Sequence, residues 1–452
     1  MRPTSLALAL LCSLVAPPTL FSQDSARARQ LAEHTAEFEK GVIEVTGGVH
    51  VAIGFGLANS ILIEGDDGVI IVDTMESSGS AAAVKKEFER ITTKPVKAIV
   101  YTHNHYDHIQ GAAVFAGDSR PDVYAHESTM AIIEHSLQVM QGAIRARSMR
   151  QFGVTLRGDE FLNAGIGPRL MLDINPGRSF LPPNKLVGSE RLEVEVAGVQ
   201  LEFVSAPGET DDQIYVWLPQ KKVLLPGDNF YKAFPNLYAI RGTRFRDPSG
   251  WVESLGEMIA EEPEFLVPSH TRPISGHDNV RQALTNYRDG IKSVLDQTIA
   301  GMNEGLTPDE LVERVKLPEH LTNDPNLQEY YGTVPWSVRS IFAGNLGWFD
   351  GNATHLFPLS DRQRAERTAK LAGGEEQLLG QAKAAFEAGD HQWAAELADH
   401  LIALDGFKQQ AYGLKADALA ALAGQQVSAN GRNYYLTSAR QLRRAARNLA
   451  SD

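Results

Sequence analysis

The chain has 452 residues, more than one ordinary domain holds and enough for two or three. A formal charge of −13 argues against a nucleic-acid binder, which would show a basic surface. Apolar residues make up 43% and charged residues 22%, as in a globular protein, and no internal stretch is long and apolar enough to span a membrane.

The first 23 residues differ from the rest. Arg2 is followed by Leu6–Val15, apolar except for Ser13, then by Pro17, Pro18 and Phe21-Ser22-Gln23. A charged start, a short apolar core and a break read as a secretory signal, which predicts a periplasmic or secreted protein. The single cysteine, Cys12, lies inside this segment, so the mature chain would carry no disulfide, thiolate ligand or cysteine nucleophile.

Short β-branched runs follow at Val42–Val45, His50–Ile53, Ser60–Glu64 and Val69–Asp73, with turns at Gly47-Gly48 and Asp66-Asp67-Gly68. Ala81–Arg90 has helical spacing, and Val96–Thr102 is a further apolar strand. Directly after it comes YTHNHYDHIQG, in which His103, His105, Asp107 and His108 fall within six positions. Imidazole nitrogen and carboxylate oxygen are the ligands of zinc and similar divalent metals. Side chains alternate in a chain leaving a strand, so His103 and His105 are expected to face one metal while Asp107 and His108 curl toward a second.

A second β-rich group lies at Leu192–Val196, Val199–Val204, Ile214–Leu218 and Lys222–Leu225. Two β-rich halves with helices between them fit a two-sheet sandwich flanked by helices. Three later strands each end in one ligand-type residue: Glu209 after Val199–Val204, Asp228 after Val223–Leu225, and His270 after Phe265–Pro268. From about residue 285 the pattern turns helical. Glu375–Ala388, Gln392–Leu404, Gln409–Leu422 and Ala429–Asn448 are rich in alanine and leucine, which suits either a tetratricopeptide-like array or a plain bundle.

Taken together, these residues resemble the alkyl sulfatase family of the metallo-β-lactamase superfamily. Glu209 stands where a generic superfamily member has histidine, and Asn236-Leu237-Tyr238-Ala239-Ile240-Arg241-Gly242 follows Asp228 by eight residues. The resemblance continues through Leu327–Asp350 and Ser428–Arg443. It covers the catalytic and dimerisation domains, without the C-terminal sterol-carrier-like domain of larger alkyl sulfatases.

The resemblance implies an α/β fold, an αββα sandwich over residues 24–284, followed by an all-α dimerisation domain over 285–452. It implies two Zn²⁺ per subunit, or Mn²⁺ or another divalent metal. His103, His105 and Glu209 would hold one ion and Asp107, His108 and His270 the other, with Asp228 bridging. The activity implied is hydrolysis of alkyl sulfate monoesters to alcohol and sulfate through a metal-bridging hydroxide. Two zinc ions, three carboxylates and a hydroxide carry no net charge, so the sulfate needs another cation. Arg241 supplies a planar fork suited to sulfate oxygens and Asn236 a neutral donor. Asp107, Asn236 and Arg241 are the expected catalytic residues, and Asn236 and Arg241 the expected substrate contacts. The helical region is expected to form a homodimer. Trp336, Trp348, Phe349 and Tyr330-Tyr331 are expected in the core or interface, with Trp348 and Phe349 as candidates for an alkyl groove.

The chain departs from the family twice. The bridging position holds Asp228 rather than glutamate, and Lys232 and Pro235 replace histidines before Asn236. The second change removes the usual proton donors. Two other readings compete: the same fold acting on a phosphodiester, lactone or β-lactam, and a helical binding scaffold without catalysis. The full set of ligand residues weighs against the scaffold.

Overall fold

The structure is a computed structural model that describes residues 25–173 and 179–450. The proposed signal at 1–23 lies outside the described residues.

Seven strands form the first sheet in sequence order: β1 (Gly41–Thr46), β2 (Val49–Ile53), β3 (Ser60–Glu64), β4 (Val69–Val72), β5 (Val96–Val100), β6 (Asp122–His126) and β7 (Lys185–Val187). β1 to β4 form an antiparallel meander, and β4 to β7 pair in parallel. The second sheet holds β8 (Leu192–Val196), β9 (Val199–Ser205), β10 (Ile214–Leu218), β11 (Val223–Leu225), β12 (Phe265–Leu266) and β13 (Ile274–Ser275), in the order β13-β12-β11-β10-β9-β8.

Period-two alternation decides which side chain faces which layer. Ile61, Ile63, Ile70 and Val72 of the first sheet meet Ile214, Val216, Leu218 and Val223 of the second between the sheets. Leu62 and Ile71 point the other way, onto α2 (with α1 at Ala26–Glu33, α2 is Ser78–Phe88), where they join Val84 and Phe88. Tyr215 and Trp217 likewise point outward from the second sheet, into a layer with Trp251, Leu284 and Tyr287. The result is an αββα sandwich, because every central strand is apolar on both faces and needs cover on both.

Between β5 and β7 lie α3 (Tyr106–Ile109), α4 (Ala112–Ala116), α5 (Thr129–Gln138) and α6 (Gln141–Gln151). After β11 come α7 (Pro248–Ala260) and the long α8 (His277–Asn303), one continuous helix through the 284/285 point where the sequence suggested a change of domain. The rest is helical: α9 (Pro308–Arg314), α10 (Glu319–Thr322), α11 (Val334–Leu346), α12 (Asp361–Ala372), α13 (Glu375–Glu387), α14 (His391–Leu404), α15 (Lys408–Gly424) and α16 (Ala429–Leu449). α13 to α16 pack each against the next through small Ala and Leu seams such as Ala382, Leu401, Ala416 and Ala439. α16 also returns to α6.

Two expected element bounds shift for physical reasons. The strand expected over Val96–Thr102 ends at Val100, because the Thr102 amide donates to the Asp73 carboxylate and leaves the ladder. The helix expected over Ala81–Arg90 starts three residues earlier, at Ser78, where the Ser77 hydroxyl caps it by accepting from the Ser80 amide.

Candidate metal centre

The strand ends bring the ligand-type residues to one edge of the sandwich. β5 runs into His103 and His105, and the helical turn α3 then swings Asp107 and His108 inward. β11 delivers Asp228 and β12 leads to His270. Two groups result: His103, His105 and Asp228, and Asp107, His108 and His270, each with ligand atoms within 4.8 Å of one another. Asp228 joins them, its Oδ2 lying 3.7 Å from His103 Nε2, 3.6 Å from His108 Nε2 and 3.2 Å from His270 Nε2.

Neighbouring groups fix the tautomers. His108 Nδ1 donates to Asp73 Oδ2 at 2.7 Å, and His270 Nδ1 donates to the Leu57 carbonyl at 2.9 Å. In each ring the outer nitrogen carries the hydrogen, so the inner Nε2 presents a lone pair to the centre. Asp73 also accepts from the Thr102 and Ser269 hydroxyls, at 2.9 and 2.6 Å. Its φ of 59° is one an aspartate adopts at a cost. The four bonds it collects offset that cost.

The residues present suit a divalent cation. His108 Nε2 and Asp228 Oδ1 are buried without a hydrogen-bond partner, an expensive state that a bound cation would relieve. The electrostatics agree. Burial works against a charged His108, yet Asp228, Asp107 and Asp73 hold its pKa well above the usual value. Burial would raise Asp228, but His270, His108 and His103 pull it well below the ordinary carboxylate range. The carboxylates here thus favour positive charge at this edge, which a bound cation would supply in place of a proton on His108. His103 and His105, lowered mainly by burial, favour the neutral form that a metal ligand needs, with His103 Nε2 and His105 Nδ1 2.8 Å apart.

Glu209 sits differently from the other ligand candidates. Its Oε1 is 3.9 Å from His105 Nδ1 but only 2.7 Å from the Arg246 guanidinium, and its Oε2 accepts from the Tyr231 hydroxyl at 3.1 Å. Burial raises its pKa even so. Arg246 also donates to the Asn236 carbonyl at 2.6 Å, and the Asn236 amide donates to Tyr231 at 2.8 Å. Sequence reasoning passed over Arg246, because one more arginine in RGTRFRD carries no sign that it is buried. It also passed over Asp73, which reads as the last residue of a strand.

Asn236 is buried, and neither its side-chain oxygen nor its nitrogen has a partner. Arg241 reaches His105 Nε2 at 2.8 Å. Arg241 thus adjoins the first metal group, and Arg241, His105, Glu209 and Arg246 all line one cavity of about 360 Å³. Its far wall is apolar, from Ile132, Met140, Ala143, Ile144 and Phe245, which lie on or near α5 and α6 and after Arg241. This wall is where the expected alkyl groove differs. Trp348 is not among its lining residues and stands 74% exposed. Lys232 is not there either: its ammonium pairs with Glu37 at 3.0 Å. Pro235 and Asn236 are pressed against Gly332, where a Cβ would meet the Pro235 carbonyl oxygen at 2.0 Å. Only glycine fits there. Glu76, beside Asp107 in charge terms, is buried, and its carboxyl is pushed up to about 8 by that burial.

Comparison with known proteins gives this geometry a family. Residues 53–270 match the Metallo-beta-lactamase superfamily and residues 307–445 match the family described as Alkyl sulfatase dimerisation. The chain is 39% identical over 390 residues to a linear primary-alkylsulfatase of Pseudomonas sp. (strain ATCC 19151), covering 84% of this chain and 73% of that protein. It is 32% identical to an (R)-specific secondary-alkylsulfatase of Pseudomonas sp., covering 89% of this chain and 62% of that protein. The solved structure of the stereoselective inverting sec-alkylsulfatase Pisa1 from Pseudomonas sp. superposes with a TM-score of 0.84 at 30% identity, over 92% of this chain and 67% of that one. The chain thus spans roughly two thirds of its relatives' length. With both domains matched and the sandwich edge assembled as described, the chain belongs to the alkylsulfatases, the sulfuric ester hydrolases of the metallo-β-lactamase superfamily.

Proposed function

We propose that the protein hydrolyses alkyl sulfate monoesters with two divalent cations, Zn²⁺ by preference. One observation carries the reading: a single carboxylate oxygen of Asp228 lies within 3.7 Å of imidazoles from both ligand groups. His103 and His105 would hold one ion, Asp107, His108 and His270 the other, and Asp228 would bridge them. Glu209 would complete the first set when its contact with Arg246 lengthens. A pair of ions so held supplies hydroxide at neutral pH and draws charge off the ester oxygens.

The chain's own residues do the rest. Arg241 and the free amide of Asn236 bind and orient the sulfate oxygens beside His105. Arg246, already buried, holds Glu209 and the Asn236 backbone in place. The apolar wall from Ile132 to Ile144, with Phe245, takes the alkyl chain and keeps water from it.

Assembly follows from the surface. Leu346, Trp348, Leu356, Phe357 and Leu359 are all exposed within one short segment, Phe357 at 95%. Such a run suits a homodimer interface. The leader-like first 23 residues support a periplasmic or secreted protein, which N-terminal sequencing of the protein from the periplasm and the medium would check. The central test is sulfate release from a panel of alkyl sulfates, with metal analysis, before and after chelation. About two metals per subunit and chelator-sensitive sulfate release are expected. Fewer than one metal, or turnover unaffected by its removal, would refute the reading.

A further inference from the structure

Cleavage at the S–O bond of an alkyl sulfate leaves an alkoxide, which needs a proton as it departs. Few side chains around the cavity can give one. Arg147, Arg241, Arg244 and Arg246 hold their protons too tightly. Glu209 is tied to Arg246 at 2.7 Å, and Asp211 lies 3.9 Å from Arg244. Lys232 is spent on Glu37. His105 belongs to the metal groups. One imidazole is left among the described cavity residues, His135 of α5.

We propose that His135 is the general acid of this chain, an inference that rests on the alkyl sulfatase reading above. Ile132, His135 and Ser136 all line the cavity, and their spacing of three and four places them on one face of α5. The apolar contacts of the substrate chain and the donor for its oxygen therefore come from the same helix surface. The His135 ring has no hydrogen bond among the described residues, so nothing competes for its proton. It is exposed at the cavity mouth, where solvent can return that proton after each turnover.

The step balances. Hydroxide adds to sulfur and the S–O bond to the alkyl oxygen breaks, its electron pair going to that oxygen. The His135 imidazolium passes the oxygen a proton, giving the alcohol and neutral imidazole. The hydrogen brought in by hydroxide leaves the sulfate for water, and the imidazole regains a proton from solvent. An aryl leaving group, already stable as an anion, gains little from the donor.

The test compares dodecyl sulfate with 4-nitrophenyl sulfate in the metal-loaded wild type, His135→Gln and His135→Ala. Metal content should not change. Turnover of dodecyl sulfate should fall about 10²–10⁴-fold, with a far smaller loss on the aryl ester. The alkaline limb of the kcat profile for dodecyl sulfate should vanish, and added imidazole should partly restore His135→Ala. Equal losses on both esters, or no loss, would overturn the assignment. So would heavy-oxygen water that labels the alcohol, since C–O cleavage releases sulfate and needs no donor. A wild type that releases sulfate from neither ester would sink the sulfatase reading and this inference with it. An active wild type with unaltered His135 variants would sink this inference alone.

Discussion

In the sandwich, strand after strand presents Val, Ile and Leu to both faces, and cover from the opposite sheet and from α2, α7 and α8 leaves these residues almost fully buried. The stretch from Leu346 to Leu359 is its opposite, with Trp348 and Phe357 standing in solvent. The sandwich closes on itself, whereas this segment presents a surface that calls for a second one. Polar groups show the same contrast from the other side. Among the unpaired buried atoms are Asp228 Oδ1 and His108 Nε2 at the sandwich edge, where an ion would sit, and the side-chain amide of Asn236, proposed to meet the sulfate. Unmet demand is what the two regions share: apolar on the helices, polar at the sheet edge.

The largest expected effect tests the polar demand. His105→Ala and Asp107→Ala should each lose metal and nearly all turnover. Two metals and full activity in both variants would show that the edge is not the metal centre. Next is Asp73→Ala, which leaves every ligand in place but frees His108 to rotate. It should weaken metal affinity about 10–100-fold, measured by competition with a chelator. Arg241→Ala should keep its metal and raise KM for sulfate esters by about 1.5–3 kcal/mol in binding terms, the value of a charge-assisted contact. The apolar demand is tested by Phe357→Asp, which should shift a dimer toward monomer in sedimentation, by about 2 kcal/mol or more if Phe357 is a hot spot. An unchanged sedimentation profile would place the interface elsewhere.

The smallest effect concerns Glu76. Burial raises its pKa from 4.5 to about 8, so the folded chain binds a proton that the unfolded chain has already released. That contribution is fully present below 4.5 and is lost as pH rises toward about 8. In metal-free protein, Glu76→Gln should flatten this decline in Tm across the window. An identical slope in both proteins would mean that Glu76 ionises freely.

Much of this was legible in the residues because strands write their faces directly. The runs at 60–64, 69–73 and 214–218 are apolar almost throughout, the mark of strands covered on both faces, and 199–204 alternates as its burial does. His103, His105, Asp107 and His108 announce a metal-ligand chemistry by type and spacing alone. Short strands with weak alternation were harder. Asp122–His126 and Lys185–Val187 hold their places only by pairing with β5 and with each other. Their order comes from neighbours, so no local pattern records it. The cavity was hidden for a related reason. Its wall comes from α5 and α6, whose apolar residues look like ordinary core positions until the helices are set over the sheet edge. Arg246 and Asp73 owe their roles to partners on other elements, Asn236 and Glu209 for one, His108 and Ser269 for the other.

The joint between α16 and the loop at Tyr331 carries a consequence in time. The Ser428 hydroxyl and the Asn430 amide both donate to the Tyr331 carbonyl, and the Ala429 amide donates to the Tyr330 carbonyl. This pins the loop whose Gly332 backs Pro235 and Asn236. During synthesis, every metal-ligand candidate up to His270 leaves the ribosome long before Ser428 does. At ~5–20 residues per second the interval is on the order of ten to thirty seconds. For that interval the nascent chain holds its ligand set with the backing of Asn236 unlatched. Arrival of α16 is the event expected to latch the loop that backs Asn236.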